Sequence, residues 1–239
     1  WKAHGWVDMR EAIAVSSDVY FYEVGGGFEG QKGIGIANIK KYSEIFGIGD
    51  KTGVDLPMEV SGVIPDPAWK LTHFKNDAWR LGDTYNTSIG QYGFQVTPME
   101  MVRAVGALAS KGVFTNPHVL KNSGDESLIK SFVNTNLPSY SEENYKVVHE
   151  GMRQAVTNGT AIALNNKFVN VAAKSGTAQV GADKSRVNSW IVGFFPYEKP
   201  KYSFVIMLEN GPANNAVHAS QAMKTVFEWM SLYDPEYLK

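Results

Sequence analysis

The chain has 239 residues, room for one large domain or two small ones, and its 44% hydrophobic and 20% charged content is that of an ordinary globular protein. Its 23 basic and 24 acidic side chains leave a formal charge of −1 with no Lys/Arg block, which argues against nucleic acid or a polybasic membrane patch as a partner. Without cysteine there is no disulfide framework, no thiol nucleophile and no Cys-ligated zinc.

The chain opens at Trp1 with neither Met nor a signal-peptide pattern, and no apolar run approaches the ~20 residues a membrane span needs. It runs almost at once into a helical pattern, so the expectation is the middle or end of a longer polypeptide. Asp8, with Glu11 three residues on, predicts a capped helix to Val15. Ser16-Ser17-Asp18 interrupts it with three side chains that can each cap a turn. A second helix, Val19–Val24, ends at Gly25-Gly26-Gly27, and its aromatic density predicts that it is packed inside. Ile34 to Phe46 suits a third helix, stopped by Gly47. Residues 50–95 are rich in Gly, Pro, Asn and Asp and read as ordered loop with short pieces of structure. Thr97-Pro98-Met99-Glu100 is a capping box with Pro at the first helical position, opening a helix to about Ser110.

Residues 121–145 read as a polar excursion, and a further helix spans about Glu142 to Thr157. The last third changes character. Val169–Val180, Ser189–Phe195 and Tyr202–Glu209 are rich in β-branched and aromatic residues, and the short link Pro196–Pro200 suggests antiparallel pairing. A closing helix from about Val217 to Tyr233 should cover the sheet, giving an α/β arrangement.

Several motifs are near-misses. Gly47-Ile48-Gly49-Asp50-Lys51-Thr52 resembles a phosphate loop, but Asp50 stands where Gly must precede Lys and no strand leads in. His149-Glu150-Gly151-Met152-Arg153 lacks a second His, so it is no zinc helix, and the five histidines are scattered singly. Lys51-Thr52-Gly53 lies in a Gly/Asp loop rather than on a strand. The informative segment is Ala172-Ala173-Lys174-Ser175-Gly176-Thr177-Ala178-Gln179. Lys174 offers a fixed positive charge, Ser175 and Thr177 offer hydroxyls for a carboxylate, and Gly176 lets a ligand approach the strand backbone. An edge strand there could also pair with an extended peptide. Taken alone, the segment reads first as an ordinary strand running into a turn, and Ser16-Ser17-Asp18 first as simple helix capping.

In combination these motifs are ordered as in a known family. Ser16-x-Asp18 at a helix junction followed by Lys174-Ser175-Gly176-Thr177 on a late strand resembles the second and third motifs of the penicillin-binding proteins. Ser88-Ile89-Gly90-Gln91, Val96–Met101, Thr52–Pro57, Gly159-Thr160-Ala161 and Trp190–Pro196 are similar to blocks of the class B high-molecular-weight transpeptidases, and Val15–Tyr22 to their elongation-type, penicillin-binding protein 2 branch. The resemblance implies a penicillin-binding protein/β-lactamase-like transpeptidase fold, an antiparallel sheet flanked by helices. Residues 1–239 would be the C-terminal portion of a single transpeptidase domain whose N-terminal part is absent.

What the resemblance implies about function is a D,D-transpeptidase that cross-links peptidoglycan stem peptides through a serine ester and is the target of β-lactams. Ser16 would relay a proton to the leaving amine and Asp18 would stand where Asn is common, unable to donate when ionised. Lys174 would set the positive potential. Ser175 and Thr177 would bind the substrate carboxylate along a strand formed with Gly176, Ala178 and Gln179, and the Thr177 N–H would be one oxyanion-hole donor. No cofactor is expected. No metal is expected either, because His4 and Asp8 are the only remnants of the Asp, His and Cys set that holds zinc in some relatives. Rod-complex morphogenesis and glycosyltransferase proteins would be partners through the parent chain, at the periplasmic face of the inner membrane, anchored by an upstream segment. The acylated Ser-x-x-Lys should precede Ser16, where no serine occurs. The one literal match, Ser127-Leu128-Ile129-Lys130, falls between the second and third motifs in the wrong order, so the nucleophile is expected on sequence ahead of Trp1. The alternative is a non-catalytic, transpeptidase-like binding module of the elongation machinery. A β-lactamase or sensor would need a deacylating base that the sequence does not offer.

Overall fold

The structure is a computed structural model that describes residues 4–120, 134–181, 183–214 and 217–239. Ser127–Lys130 lies outside the described residues. In chain order the elements are α1 (Met9–Val15), α2 (Asp18–Gly26), β1 (Gly27–Phe28), β2 (Gln31–Lys32), α3 (Gly35–Ile45), α4 (Pro67–His73), α5 (Leu81–Ser88), α6 (Pro98–Ala109), β3 (Val113–Phe114), β4 (Thr135–Asn136), α7 (Glu142–Asn158), β5 (Ala172–Val180), β6 (Arg186–Phe195), β7 (Tyr202–Pro212) and α8 (Ala219–Tyr233). Two compact units emerge. One comprises Trp1–Ser16, Leu108–Gly112 and Ser139–Lys239, and the other Ser17–Ala107 and Val113–Pro138.

The first unit is built on an antiparallel sheet in the order β5-β6-β7, so β5 is an edge strand of it. The β5–β6 register sets Lys174 opposite Val192, Gly176 opposite Trp190 and Thr177 opposite Ser189. Gly193, in the central strand, is a glycine of necessity: a Cβ there would lie 2.3 Å from the Ala172 carbonyl oxygen and 2.7 Å from the Phe204 ring. One core cluster includes Val171, Ala173, Ile191, Phe195 and Phe204 of the sheet region, Ala155 and Val156 of α7, Met223 and Phe227 of α8, and Ala14 of α1. Phe227 meets Phe195 and Phe204 edge-on, at centroid distances of 5.0 and 5.9 Å. Burying such rings is worth roughly 2–3 kcal/mol each, and the edge-to-face pairs add about 0.5–1.5 kcal/mol.

The first helix follows its sequence signature. Asp8 Oδ1 accepts from Glu11 N at 2.9 Å, and Glu11 Oε2 accepts from Asp8 N at 3.2 Å. Its buried Ala12, Ile13 and Ala14 pack on α7, where Gly151 faces Ile13. The ion pair Arg10–Glu150 at 2.5 Å closes the rim.

In the second unit α2 departs from expectation. Its aromatic residues are half-buried rather than inside, Val19 is exposed, and Gly25 is its one buried residue. The reason is that the helix approaches α5 through its glycine end. A Cβ on Gly25 would lie 2.5 Å from Ser88 Cβ, and one on Gly26 2.3 Å from the Tyr85 ring. Residues 50–95 contain two short helices, α4 and α5, beside their loops.

The Thr97 capping box forms as its spacing predicts, with Glu100 N donating to Thr97 Oγ1 at 3.2 Å and Thr97 N to Glu100 Oε2 at 2.6 Å. The same carboxylate, fully buried, accepts from Gly49 N and Gly62 N, both at 2.8 Å. Gly49 N–H is thus committed to Glu100, and no phosphate cradle forms in the Gly47–Thr52 loop. Lys51 is exposed in that loop and Thr52 is tied to Glu59, away from any strand.

Candidate active site

Three segments of the first unit converge on one corner. Ser16 caps the C-terminus of α1 in the left-handed conformation (φ 57°, ψ 58°), its N–H closing on Ala12 O and Ile13 O. A non-glycine residue there is uncommon and costs of order 1 kcal/mol, so the hydroxyl is aimed by a backbone geometry that neighbouring structure must hold. β5 brings the second segment. Ala172 and Ala173 are fully buried and anchor the strand, and Arg153 of α7 fixes the residues before it, donating to Val171 O at 3.0 Å and Asn170 Oδ1 at 2.7 Å. Lys174 follows, half-buried, and its Nζ donates to Ser16 Oγ at 2.8 Å and to Ser175 O at 2.6 Å.

The third segment is the end of α7. Gly159 lets the chain pass so close to α1 that a Cβ there would sit 2.2 Å from Ala14 O, and Thr160 N donates to that carbonyl at 3.1 Å. Thr160 Oγ1 then accepts from Ser175 Oγ at 2.7 Å. Thr160 is the residue that sequence reasoning left without a role. The sequence marked it only as part of the Gly159-Thr160-Ala161 block at a helix end, and the packing of α7 on α1 is what sets it beside Ser175.

Beyond Ser175, β5 turns outward. Gly176, Thr177 and Gln179 are exposed and Ala178 is half-buried. Strand alternation sets Ser175, Thr177 and Gln179 on one face and Lys174, Gly176 and Ala178 on the other. On the protein side a Cβ at Gly176 would meet Trp190 Cβ at 3.4 Å and nothing closer, so packing alone does not demand glycine there. The outward edge of β5 can offer main-chain groups to an extended chain.

Asp18 belongs to the second unit, where it opens α2 behind the N-cap Ser17, whose Oγ accepts from Tyr20 N at 3.4 Å. Burial, with the negative charge of Asp18, raises the Tyr22 phenol. The helix-capping role of Ser16 and Ser17 is therefore present whatever else they do. Among the other sequence candidates, His149 is a packing residue: buried, its Nε2 2.8 Å from Leu108 O, its ring 4.7 Å from that of Phe194. Among the described residues no group of three or more His, Asp or Glu side chains is arranged to hold a metal ion.

Chemically, the corner holds an ammonium against a serine hydroxyl. A fixed positive charge at 2.8 Å favours the alkoxide-like form of that oxygen and lets Ser16 pass a proton on. The paired hydroxyls Ser175 and Thr160 and the charge of Lys174 suit an anion at the strand edge.

A family model for the penicillin binding protein transpeptidase domain matches residues 1–228, a range that takes in the second unit, most of the first and every motif residue above. The chain belongs to the penicillin-binding-protein transpeptidase family. Among curated relatives it is 33% identical over 253 residues to the peptidoglycan D,D-transpeptidase MrdA of Acinetobacter baumannii, covering 97% of this chain and 36% of that protein. Among solved structures it is similar to Helicobacter pylori PBP2 in complex with MreC (TM-score 0.76, 33% identity, 98% of this chain, 42% of that one). It is likewise similar to Pseudomonas aeruginosa PBP2 in complex with WCK 5153 (TM-score 0.78, 29% identity, 95% and 48%). The penicillin-binding-protein fold expected from the motifs is the fold found, and these relatives are named MrdA and PBP2, in line with the penicillin-binding protein 2 resemblance of Val15–Tyr22. The chain spans about two fifths of the length of these relatives.

Proposed function

We propose that residues 1–239 are the C-terminal portion of a D,D-transpeptidase domain that cross-links peptidoglycan stem peptides and is acylated by β-lactams. The observation that carries the reading is the 2.8 Å contact of Lys174 Nζ with Ser16 Oγ, made by the two motif residues of a family member across 158 positions of sequence. In this reading a serine outside the chain attacks the carbonyl carbon of the penultimate D-Ala. The D-Ala–D-Ala amide C–N bond breaks, and the leaving amine takes its proton through Ser16. An acceptor amine then attacks the ester, forms the cross-link and returns the serine hydroxyl. Lys174 holds Ser16 and the local potential, Ser175 and Thr177 take the substrate carboxylate, and the Thr177 N–H is one oxyanion donor. Gly176, Ala178 and Gln179 form the strand edge against which the peptide lies. Asp18 occupies the third position of the Ser-x-Asp motif as an acceptor.

On the same reading the parent protein works at the periplasmic face of the inner membrane with rod-complex partners, MreC and a glycosyltransferase among them. Its anchor is placed, as part of this proposal, on an upstream segment of the parent; no helix among the described residues is long and apolar enough to cross a membrane.

Denaturing intact-mass spectrometry after incubation with benzylpenicillin tests the proposal. The expected result, on the complete transpeptidase, is one adduct on a serine outside these 239 residues, lost on Lys174→Met. An adduct on Ser16 or Ser127 would overturn the assignment of roles. No adduct at all would leave a transpeptidase-like binding module as the better reading.

A further inference from the structure

We propose that Thr160 is a positioning residue for carboxylate recognition, acting through Ser175 as the second member of a reversible hydroxyl pair; the inference rests on the proposed function and deepens it. A hydroxyl carries one proton and two acceptor lone pairs. Ser175 Oγ and Thr160 Oγ1 stand 2.7 Å apart, and Thr160 Oγ1 is 3.5 Å from Ala14 O, at the limit of a hydrogen bond. With the site empty, Ser175 donates to Thr160 and Thr160 to Ala14 O. In that polarity the Ser175 proton is spent inside the protein and cannot meet an anion.

A carboxylate accepts only. When it arrives beside Ser175 both hydroxyls turn: Ser175 donates to the carboxylate, and Thr160 donates to Ser175. The exchange gives up only the 3.5 Å contact, keeps the 2.7 Å one and adds a charge-assisted bond. Thr160 donating from behind also polarises the Ser175 O–H, which strengthens the bond to the anion by about 10–30%. The backbone secures the geometry. Thr160 N is bonded to Ala14 O at 3.1 Å, and Gly159 allows that approach, so Thr160 is fixed to the same helix whose end carries Ser16. Ser175 and Ser16 are thereby referenced to one rigid element, one through Thr160 and the other through the α1 backbone.

The test uses the complete transpeptidase with Thr160→Val, which is nearly isosteric without the hydroxyl, and Thr160→Ser, which keeps it. The readout is the second-order acylation rate with benzylpenicillin and with its carboxyl methyl ester. For Thr160→Val the benzylpenicillin rate should fall about 5–10-fold, the scale of one lost hydrogen bond in a charge-assisted chain. The ester rate should stay within about twofold of wild type, and Thr160→Ser should restore the benzylpenicillin rate. A structural role alone would lower both ligands equally, and that result overturns the inference, as does an unchanged benzylpenicillin rate. If Thr160→Val does not fold, the same ligand comparison on Thr160→Ser against Thr160→Ala decides. A wild-type protein that neither ligand acylates overturns the proposed function and this inference with it.

Discussion

Glu100 offers the sharpest test of how the second unit is held. Its carboxylate is 0% exposed and takes three backbone N–H groups from three stretches of chain: Gly49 and Gly62 at 2.8 Å on Oε1, and Thr97 at 2.6 Å on Oε2. A hydrogen bond to a charged group contributes about 1.5–3 kcal/mol net, and a buried donor left unpaired costs about 1–3 kcal/mol. Glu100→Ala orphans all three donors. Admission of water into the vacated space offsets part of the loss, so the expected destabilisation is about 3–5 kcal/mol. Glu100→Gln separates the contributions. The amide oxygen can keep Gly49 and Gly62, while the amide nitrogen confronts Thr97 N, donor against donor, for about 1.5–3 kcal/mol. Urea unfolding followed by tryptophan fluorescence gives both numbers from the midpoint shift. An Ala variant costing under about 1 kcal/mol, or a Gln variant costing as much as Ala, would refute the view that this carboxylate ties three loops together.

Gly193→Ala sets a methyl 2.3 Å from Ala172 O and 2.7 Å from the Phe204 ring, so β5 must shift. The expected cost is about 1–3 kcal/mol, read as a lower melting temperature, with the acylation rate falling further than a stability-matched variant remote from β5. His149→Gln tests a buried imidazole whose pKa is lowered, first by burial and further by Lys111, while the Leu108 carbonyl and Glu142 pull it up. Because the folded value lies below the unfolded ~6.5, the unfolded chain takes the proton first as pH drops, and stability is lost from about pH 6.5 downward until the folded value is passed. Urea midpoints at pH 7.5 and 5.5 should differ for wild type and differ less for His149→Gln. Equal differences in the two proteins would assign the pH dependence to other groups.

Much of this protein is legible without coordinates where the chemistry is local. The Asp8–Glu11 and Thr97–Glu100 boxes, the ends of α3 and α7 and the antiparallel run of β5, β6 and β7 follow from residues within a few positions of one another. The Lys-Ser-Gly-Thr strand and the Ser-x-Asp junction were readable as family motifs for the same reason: each is a short contiguous string. What a string cannot carry is which distant group meets which. The aromatic content of α2 gave no warning that the helix would touch α5 through Gly25 and Gly26, because hydrophobicity states an appetite for burial and not the shape of the neighbour. Glu100 reads as a capping residue, and nothing near it in sequence announces Gly49 and Gly62. Thr160 gains its place beside Ser175 only because Gly159 lets the end of α7 press against the Ala14 carbonyl. Sequence alone determined the local hydrogen bonds and the family motifs, because those depend on neighbours along the chain. Tertiary structure decided the buried hub at Glu100 and the Lys174–Ser16 and Ser175–Thr160 contacts, because these depend on packing that joins residues far apart in the chain.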